Sequence, residues 1–320
     1  MKRILCVLSL LLIITACDDG NLTVDPIDFS TGPILKCSIK DVLYKVQGSE
    51  MMFIEIPSSY FTNDQTVEGS PIEVHLSSSI KVTYRRYASE TSAQNICPTA
   101  PDATPNLVEQ WQATDGIIQI TSTAIKTTNL TTGFETITGY TYNINFKNIT
   151  FIKPDGAQTQ QTFSFGNYQT TASALAFGFN HEVDKSTCTG DNRIFDFSGS
   201  EVFTLDVADY NTLFESTETP TGTPRTALIS ATNKLSYRLY SNAITNAYFC
   251  AATIPATPIL TQQWDAVDGI EATSGIIEVT TTALLTGFQH TIRLKKITLK
   301  KGNSEFSLGD DYLFGTLITN

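Results

Sequence analysis

Histidines, carboxylates and cysteines are the residues through which this 320-residue chain could do acid–base, metal or covalent chemistry. His75, His181 and His290 stand far apart, and none has a second ligand at a spacing that suits zinc. Neither a Gly-x-Ser-x-Gly nucleophile elbow nor a glycine-rich phosphate loop occurs. Asp310-Asp311 beside Gly309, and Asp184 with Asp191, are loop carboxylates with oxygens to offer calcium, but no loop carries a spaced ligand series. They read as solvated turn residues. No catalytic residue, metal ligand or cofactor follows, and the expectation is a protein that is not an enzyme. The cysteines say more. Cys6 lies inside an amino-terminal apolar run and Cys17 at its end. Cys37, Cys97, Cys188 and Cys250 are even in number and well spaced, which reads as disulfides in an oxidising compartment.

Met1-Lys2-Arg3 is basic, Ile4 to Ile14 is apolar apart from Ser9, and Ile14-Thr15-Ala16-Cys17 closes the segment. That is the layout of a secretory signal, and it falls short of the roughly 20 apolar residues a spanning helix needs. Ile-Thr-Ala-Cys resembles the lipobox of bacterial lipoproteins, with Ile where Leu is commonest. The resemblance implies diacylglycerol on Cys17, cleavage before it and acylation of the new amino group, which together anchor a protein stably to a membrane. Asp18-Asp19-Gly20 is similar to the surface-export signals of Bacteroidota lipoproteins. It implies an outer-membrane protein facing the cell exterior, whereas enteric-type sorting would imply retention in the inner membrane. Residues 1–16 are thus expected to be the signal peptide, and 17–32 the lipidated cysteine and a flexible tether. Fully extended, that tether reaches at most about 60 Å.

Without Lys2 and Arg3 the chain holds 19 basic against 32 acidic residues. A balance this acidic argues against nucleic acid and against a polybasic grip on anionic lipid. Threonine is the commonest residue, at 47, while Met, Trp and His are scarce. Such a composition favours strands.

The elements that must position any site come in two copies. Lys81-Val82-Thr83-Tyr84-Arg85-Arg86-Tyr87 matches Lys234-Leu235-Ser236-Tyr237-Arg238-Leu239-Tyr240. Cys97, Pro105, Gln110 and Trp111 match Cys250, Pro258, Gln263 and Trp264 at identical spacing. Gly116-Ile117-Ile118-Gln119-Ile120-Thr121 resembles Gly275-Ile276-Ile277-Glu278-Val279-Thr280 after a six-residue insertion, and Phe163-Ser164-Phe165-Gly166 echoes Phe306-Ser307-Leu308-Gly309. Cys37 and Cys188 each precede a Gly-Ser-Glu by eleven residues. Alternation of period two recurs in both copies, at Met52–Ile56, Thr141–Phe151, Glu201–Val207 and His290–Leu299 among others. The expected architecture is all-β: two tandem homologous β-sandwich or partly open barrel domains, 33–174 and 175–320, each with one disulfide. A duplicated domain had to be complete alone, so the pairing expected is Cys37–Cys97 and Cys188–Cys250. The Cys…Trp…Cys order of antibody domains is absent.

Two shared motifs are candidates for contact. Trp-x-Ala-x-Asp-Gly, at Trp111–Gly116 and Trp264–Gly269, reads as a core tryptophan packing on the disulfide, followed by an Asp-Gly hairpin turn. The alternative is an aromatic platform beside a carboxylate, suited to a sugar. Arg85 with Tyr87, and Arg238 with Tyr240, fall on the strand face opposite Leu235, Tyr237 and Leu239. They are expected to be exposed contact residues or a surface cation–aromatic pair. The functional expectation is a lipid-anchored envelope protein that binds without catalysis, or a structural one. Its partners would be the membrane and an extracellular polymer or envelope protein. A secreted hydrolase, or an inhibitor or assembly factor for another envelope protein, is the alternative.

Overall fold

The computed structural model describes residues 27–29 and 31–320. The signal segment, Cys17 and the acidic pair after it lie outside the described residues. What is described is almost all β, in several antiparallel sheets that include a half-barrel.

The first repeat forms β1 (Leu35–Lys36), β2 (Val42–Gln47), β3 (Glu50–Glu55), β4 (Ile72–His75), β5 (Lys81–Tyr87), β6 (Leu107–Thr128), β7 (Glu135–Lys153) and β8 (Gly156–Thr171). They build one sheet in the order β1-β2-β3-β5-β6-β7-β8, with β4 also paired to β6. The second repeat forms β9 (Asp184–Lys185), β10 (Ile194–Ser198), β11 (Glu201–Asp206), β12 (Arg225–Leu228), β13 (Lys234–Tyr240) and β14 (Leu260–Ala266). β15 (Ile276–Ala283), β16 (Phe288–Lys295), β17 (Thr298–Lys301), β18 (Ser304–Ser307) and β19 (Tyr312–Thr319) complete it. These make two sheets, β9-β10-β11-β13-β14-β17-β18 and β12-β15-β16-β19.

Laid on the repeat, the topologies are the same. β6 corresponds to β14 plus β15, β7 to β16 plus β17, and β8 to β18 plus β19. The break points also correspond. Where β14 gives way to β15, the inserted residues turn through Ile270–Ser274, closed by a bridge between those two residues. Lys296, between β16 and β17, has φ +49°, and its counterpart Asn148 inside β7 has the same value. The first repeat runs through these irregularities as bulges, which bend a strand without ending it. Gly116 shows why: at φ +131°, a Cβ there would lie 2.7 Å from the Ile149 Cα, so only glycine fits. The expected Asp115-Gly116 hairpin turn is therefore corrected to a bend within β6. In the second repeat the strand does stop at this place, and Gly269 opens the turn.

The bends also mark how the chain packs. One compact unit holds residues up to 57, 75–118 and 145–166, and the other holds 58–74, 119–144 and 167–320. The sequence repeats and the compact units are thus different partitions, because β6, β7 and β8 each contribute to both units.

The disulfides are Cys37–Cys97 and Cys188–Cys250, as the duplication requires. Each ties a loop over one face of its repeat's sheet. Beneath the first lie Val42, Tyr44, Met51, Phe53, Tyr87 and Ile96, a closed apolar cluster. Phe195, Val202, Tyr240, Ile244 and Phe249 form the second. Tyr87 and Tyr240 are each only 6% exposed. Their expected placement on an open polar face is therefore corrected: the disulfide-bearing loop covers that face at both tyrosines, while Arg85 and Arg238 stay half-buried.

Candidate functional site

Register places one row of side chains across the opposite face of each sheet. In the first repeat Lys45, Met52, Tyr84 and Trp111 stand opposite one another on successive strands. Asp196, Phe203, Tyr237 and Trp264 do so in the second. Both tryptophans are 3% exposed, which bears out a core role. Their neighbours are corrected, however: they lie in this row, on the face away from the disulfide cluster, and Trp111 packs on Tyr84 at 4.4 Å. A lysine caps each indole, Lys153 at 5.1 Å from the Trp111 ring and Lys301 at 5.0 Å from that of Trp264.

The two lysines differ in what else holds them. Lys153 donates to Gln158 at 3.2 Å and pairs with Asp155 at 3.6 Å. The Lys301 ammonium has no ion pair or hydrogen bond among the described residues: its two-residue turn, Gly302-Asn303, has the length of Pro154-Asp155, but Asn303 stands where the first repeat has Asp155. A second acid is also replaced. The Trp111 indole N–H donates to Glu109 at 2.7 Å, whereas that of Trp264 donates to Gln262 at 3.2 Å.

Beside Trp264 and Lys301 the second compact unit encloses a cavity of about 150 Å³. Phe134, Tyr140, Phe177, Trp264 and Phe306 supply aromatic walls, Ile137, Leu175 and Ala172 aliphatic ones, and Asn63, Glu135, Gln262 and Lys301 polar groups beside the hydroxyls of Thr136 and Ser173. Strong local contacts fix these positions. Phe134 bridges to Leu308, and Gly309 must be glycine, since a Cβ there would stand 2.1 Å from the Thr132 carbonyl oxygen. The Asp64 carboxylate accepts the N–H groups of Asn303 and Ser304 and the Ser304 hydroxyl at 2.7–3.1 Å, fastening the turn after Lys301. Tyr140 donates to the Ser304 hydroxyl at 3.1 Å, and burial pushes its phenol pKa up. Phe177, at φ +47°, stacks on Tyr237 at 4.5 Å. Glu201 holds that segment by accepting from the N–H groups of Ala176 and Phe177 at 2.9 and 3.3 Å, and it also accepts the Tyr237 hydroxyl. Glu135 accepts the Ser307 N–H at 3.0 Å and the Lys126 ammonium at 3.1 Å. Its charge is therefore compensated locally.

The chain matches no protein-family model, no curated protein and no solved structure.

The other residues singled out by sequence lie elsewhere. Arg85 is half-buried, with its guanidinium 5.1 Å from the Phe53 ring and its Nε bonded to Gln110 at 2.8 Å. Arg238 repeats that bond with Gln263 at 3.2 Å. Neither enters the cavity. Asp311 is taken up by Arg293 and Lys295 at 2.8 and 2.9 Å, which hold its carboxyl below the usual range. Asp191 is taken up by Arg193 and Ser186 at 2.7 and 2.8 Å. His290 is fully buried between the Thr281 and Thr319 hydroxyls, and burial lowers its pKa. Sequence reasoning reached Trp264 but missed Lys301 and Phe134. The signal available was the second repeat's turn, Lys301-Gly302-Asn303-Ser304 where the first has Lys153-Pro154-Asp155-Gly156, which exchanges the acid for an amide.

Proposed function

We propose that this chain is a lipid-anchored envelope protein that binds a ligand without transforming it, and that the cavity beside Trp264 is the binding element. The carrying observation is the cavity's chemistry: five aromatic side chains and three aliphatic ones converge with polar groups that include Lys301, Gln262 and Asn63, a mixture that suits a recognition pocket. Its one carboxylate, Glu135, is engaged by Lys126 and the Ser307 N–H rather than aimed at a reacting atom. The anchor rests on the lipobox-like Ile14–Cys17, and surface exposure on Asp18-Asp19. The two disulfides fit an oxidising compartment.

The test is capture of envelope glycans and proteins by the full chain, compared with a variant in which Leu175→Trp fills the cavity. Loss of capture in the filled variant is the expected result, and capture that is indifferent to the filling would refute the cavity as the binding element. Palmitate labelling of the full chain, lost in Cys17→Ala, checks the anchor. A separate reading, in which Arg85 and Arg238 make the partner contact, keeps the support that their cross-strand bonds to glutamine recur in both repeats. It does not extend to the buried tyrosines.

A further inference from the structure

We infer that the cavity takes a small ring compound bearing a single anionic group, such as an aromatic or alicyclic carboxylate, with Lys301 as the counter-ion. The inference rests on the binding reading above and adds the ligand's chemical class.

Size comes first. A cavity of about 150 Å³ matches the volume of an engineered apolar cavity that admits benzene, so one six-membered ring fits and an oligomer does not. The walls suit a ring as well: Phe134, Phe177, Trp264 and Phe306 present aromatic surfaces, and aromatic pairs favour offset or edge contacts.

Charge comes second, and the first repeat acts as an internal control. There the same lysine-on-tryptophan pair is neutralised by Asp155, and the indole bonds to a carboxylate, Glu109. In the second repeat both acids are gone, one replaced by Asn303 in a turn of the same length and one by Gln262. The result is an ammonium held over Trp264 with no anion of its own. Gln262 and Asn63 spend their carbonyl oxygens on Trp264 and on Thr170, at 3.2 and 2.8 Å. Their amide N–H groups have no acceptor among the described residues. The cavity therefore offers a cation and two amide donors against one acid, Glu135, which Lys126 already holds. A carboxylate could accept from all of these donors, and hydrogen bonds between charged partners are the stronger kind.

The experiment uses the full chain in detergent, titrated calorimetrically with benzoate, cyclohexanecarboxylate and benzyl alcohol, alongside Lys301→Met and Lys301→Arg. Expected is binding of both carboxylates, weakened at least about tenfold in Lys301→Met, as loss of a charged hydrogen bond implies. Lys301→Arg should retain it, and benzyl alcohol should bind at least about tenfold more weakly than benzoate. Equal affinity for benzoate and benzyl alcohol, or no change in Lys301→Met, overturns the anion while leaving the cavity as a binding site. No binding of any of the three overturns both readings. Should Lys301→Met fail to fold, Lys301→Gln and the benzoate–benzyl alcohol ratio in the wild type decide the same question.

Discussion

Trp111 and Trp264 occupy one position in two copies of a sheet, and their surroundings have diverged. The first is saturated with partners: Tyr84 on one side, Lys153 above, Glu109 on the indole N–H, and Asp155 with Gln158 on the lysine. The second keeps the tryptophan, the tyrosine and the lysine, and its tryptophan and lysine line the cavity. A shared scaffold with unequal saturation separates what the fold needs from what it leaves over. Whatever both copies keep holds the sheet together, whereas Lys301 sits over Trp264 with no ion pair among the described residues. The same row diverges again at its other end. Lys45 and Asp196 occupy matching positions, both buried, with opposite charge.

The largest expected effects test whether the tryptophans are equivalent. Trp111→Ala and Trp264→Ala should each cost about 3–5 kcal/mol, the range for deleting a large buried side chain. Denaturant unfolding measures both. A loss below about 1 kcal/mol at Trp264, within the range of ordinary surface changes, would break the equivalence and make Trp264 a ligand residue rather than a core one.

The buried pair at the far end of the row should separate by pH. Asp196 is 1% exposed, no hydrogen bond of good geometry reaches its oxygens, and burial pushes its pKa up to about 7. Its folded pKa lies above the unfolded value. The native state therefore holds a proton that the unfolded chain releases, and stability falls as pH rises between the two. The expected slope is about 1.4 kcal/mol per pH unit from roughly pH 4 to 7, flat beyond. Asp196→Asn should abolish that slope and be the more stable protein at pH 8. For Lys45, burial lowers the pKa against an opposing pull from Asp28. Here the native state binds less proton, so the contribution has the opposite sign, with stability rising towards the ordinary lysine range. Urea midpoints of wild type, Asp196→Asn and Lys45→Met across pH 4 to 10 would show two opposed limbs. A flat wild-type profile between pH 4 and 7 would remove Asp196 from the account.

The smallest effect sharpens the comparison most. Lys153→Met removes a buried ammonium's hydrogen bond to Gln158 and its ion pair with Asp155, and should cost about 1–3 kcal/mol, the range for hydrogen bonds to charged groups. Lys301→Met removes only a cation–π contact and should change stability by less than about 1 kcal/mol. Equal losses in thermal or urea unfolding would mean that the fold depends on Lys301 no less than on Lys153.

The duplication was readable in the sequence, and it carried much with it: the strand composition, the disulfide pairing and the burial of both tryptophans. A repeated sequence must satisfy the same packing twice, which fixes in-repeat cysteine pairs without coordinates. The face of β5 and β13 was not readable. Alternation distinguishes two faces but not which one a distant loop will cover, and the disulfide-tied loops cover the face carrying Tyr87 and Tyr240. Asp115-Gly116 misled for a related reason. Asp-Gly favours a turn locally, yet pairing along β6 on both sides of Gly116 outweighs that preference, and the glycine serves a close approach to Ile149 instead.

By itself, then, the sequence determined the duplication, the all-β character and the disulfides, and it carries a segment that resembles a lipobox, since each is local or repeated and so visible in residue order. Only the tertiary structure decided that the long strands are shared by two compact units, and that Phe134, Phe177, Trp264 and Lys301 meet around one cavity. Residues from 63 to 306 line it, and no periodicity or spacing encodes which side chains so far apart will share a wall. Close packing of whole sheets sets that, and with it which lysine stands over its tryptophan with no ion pair among the described residues.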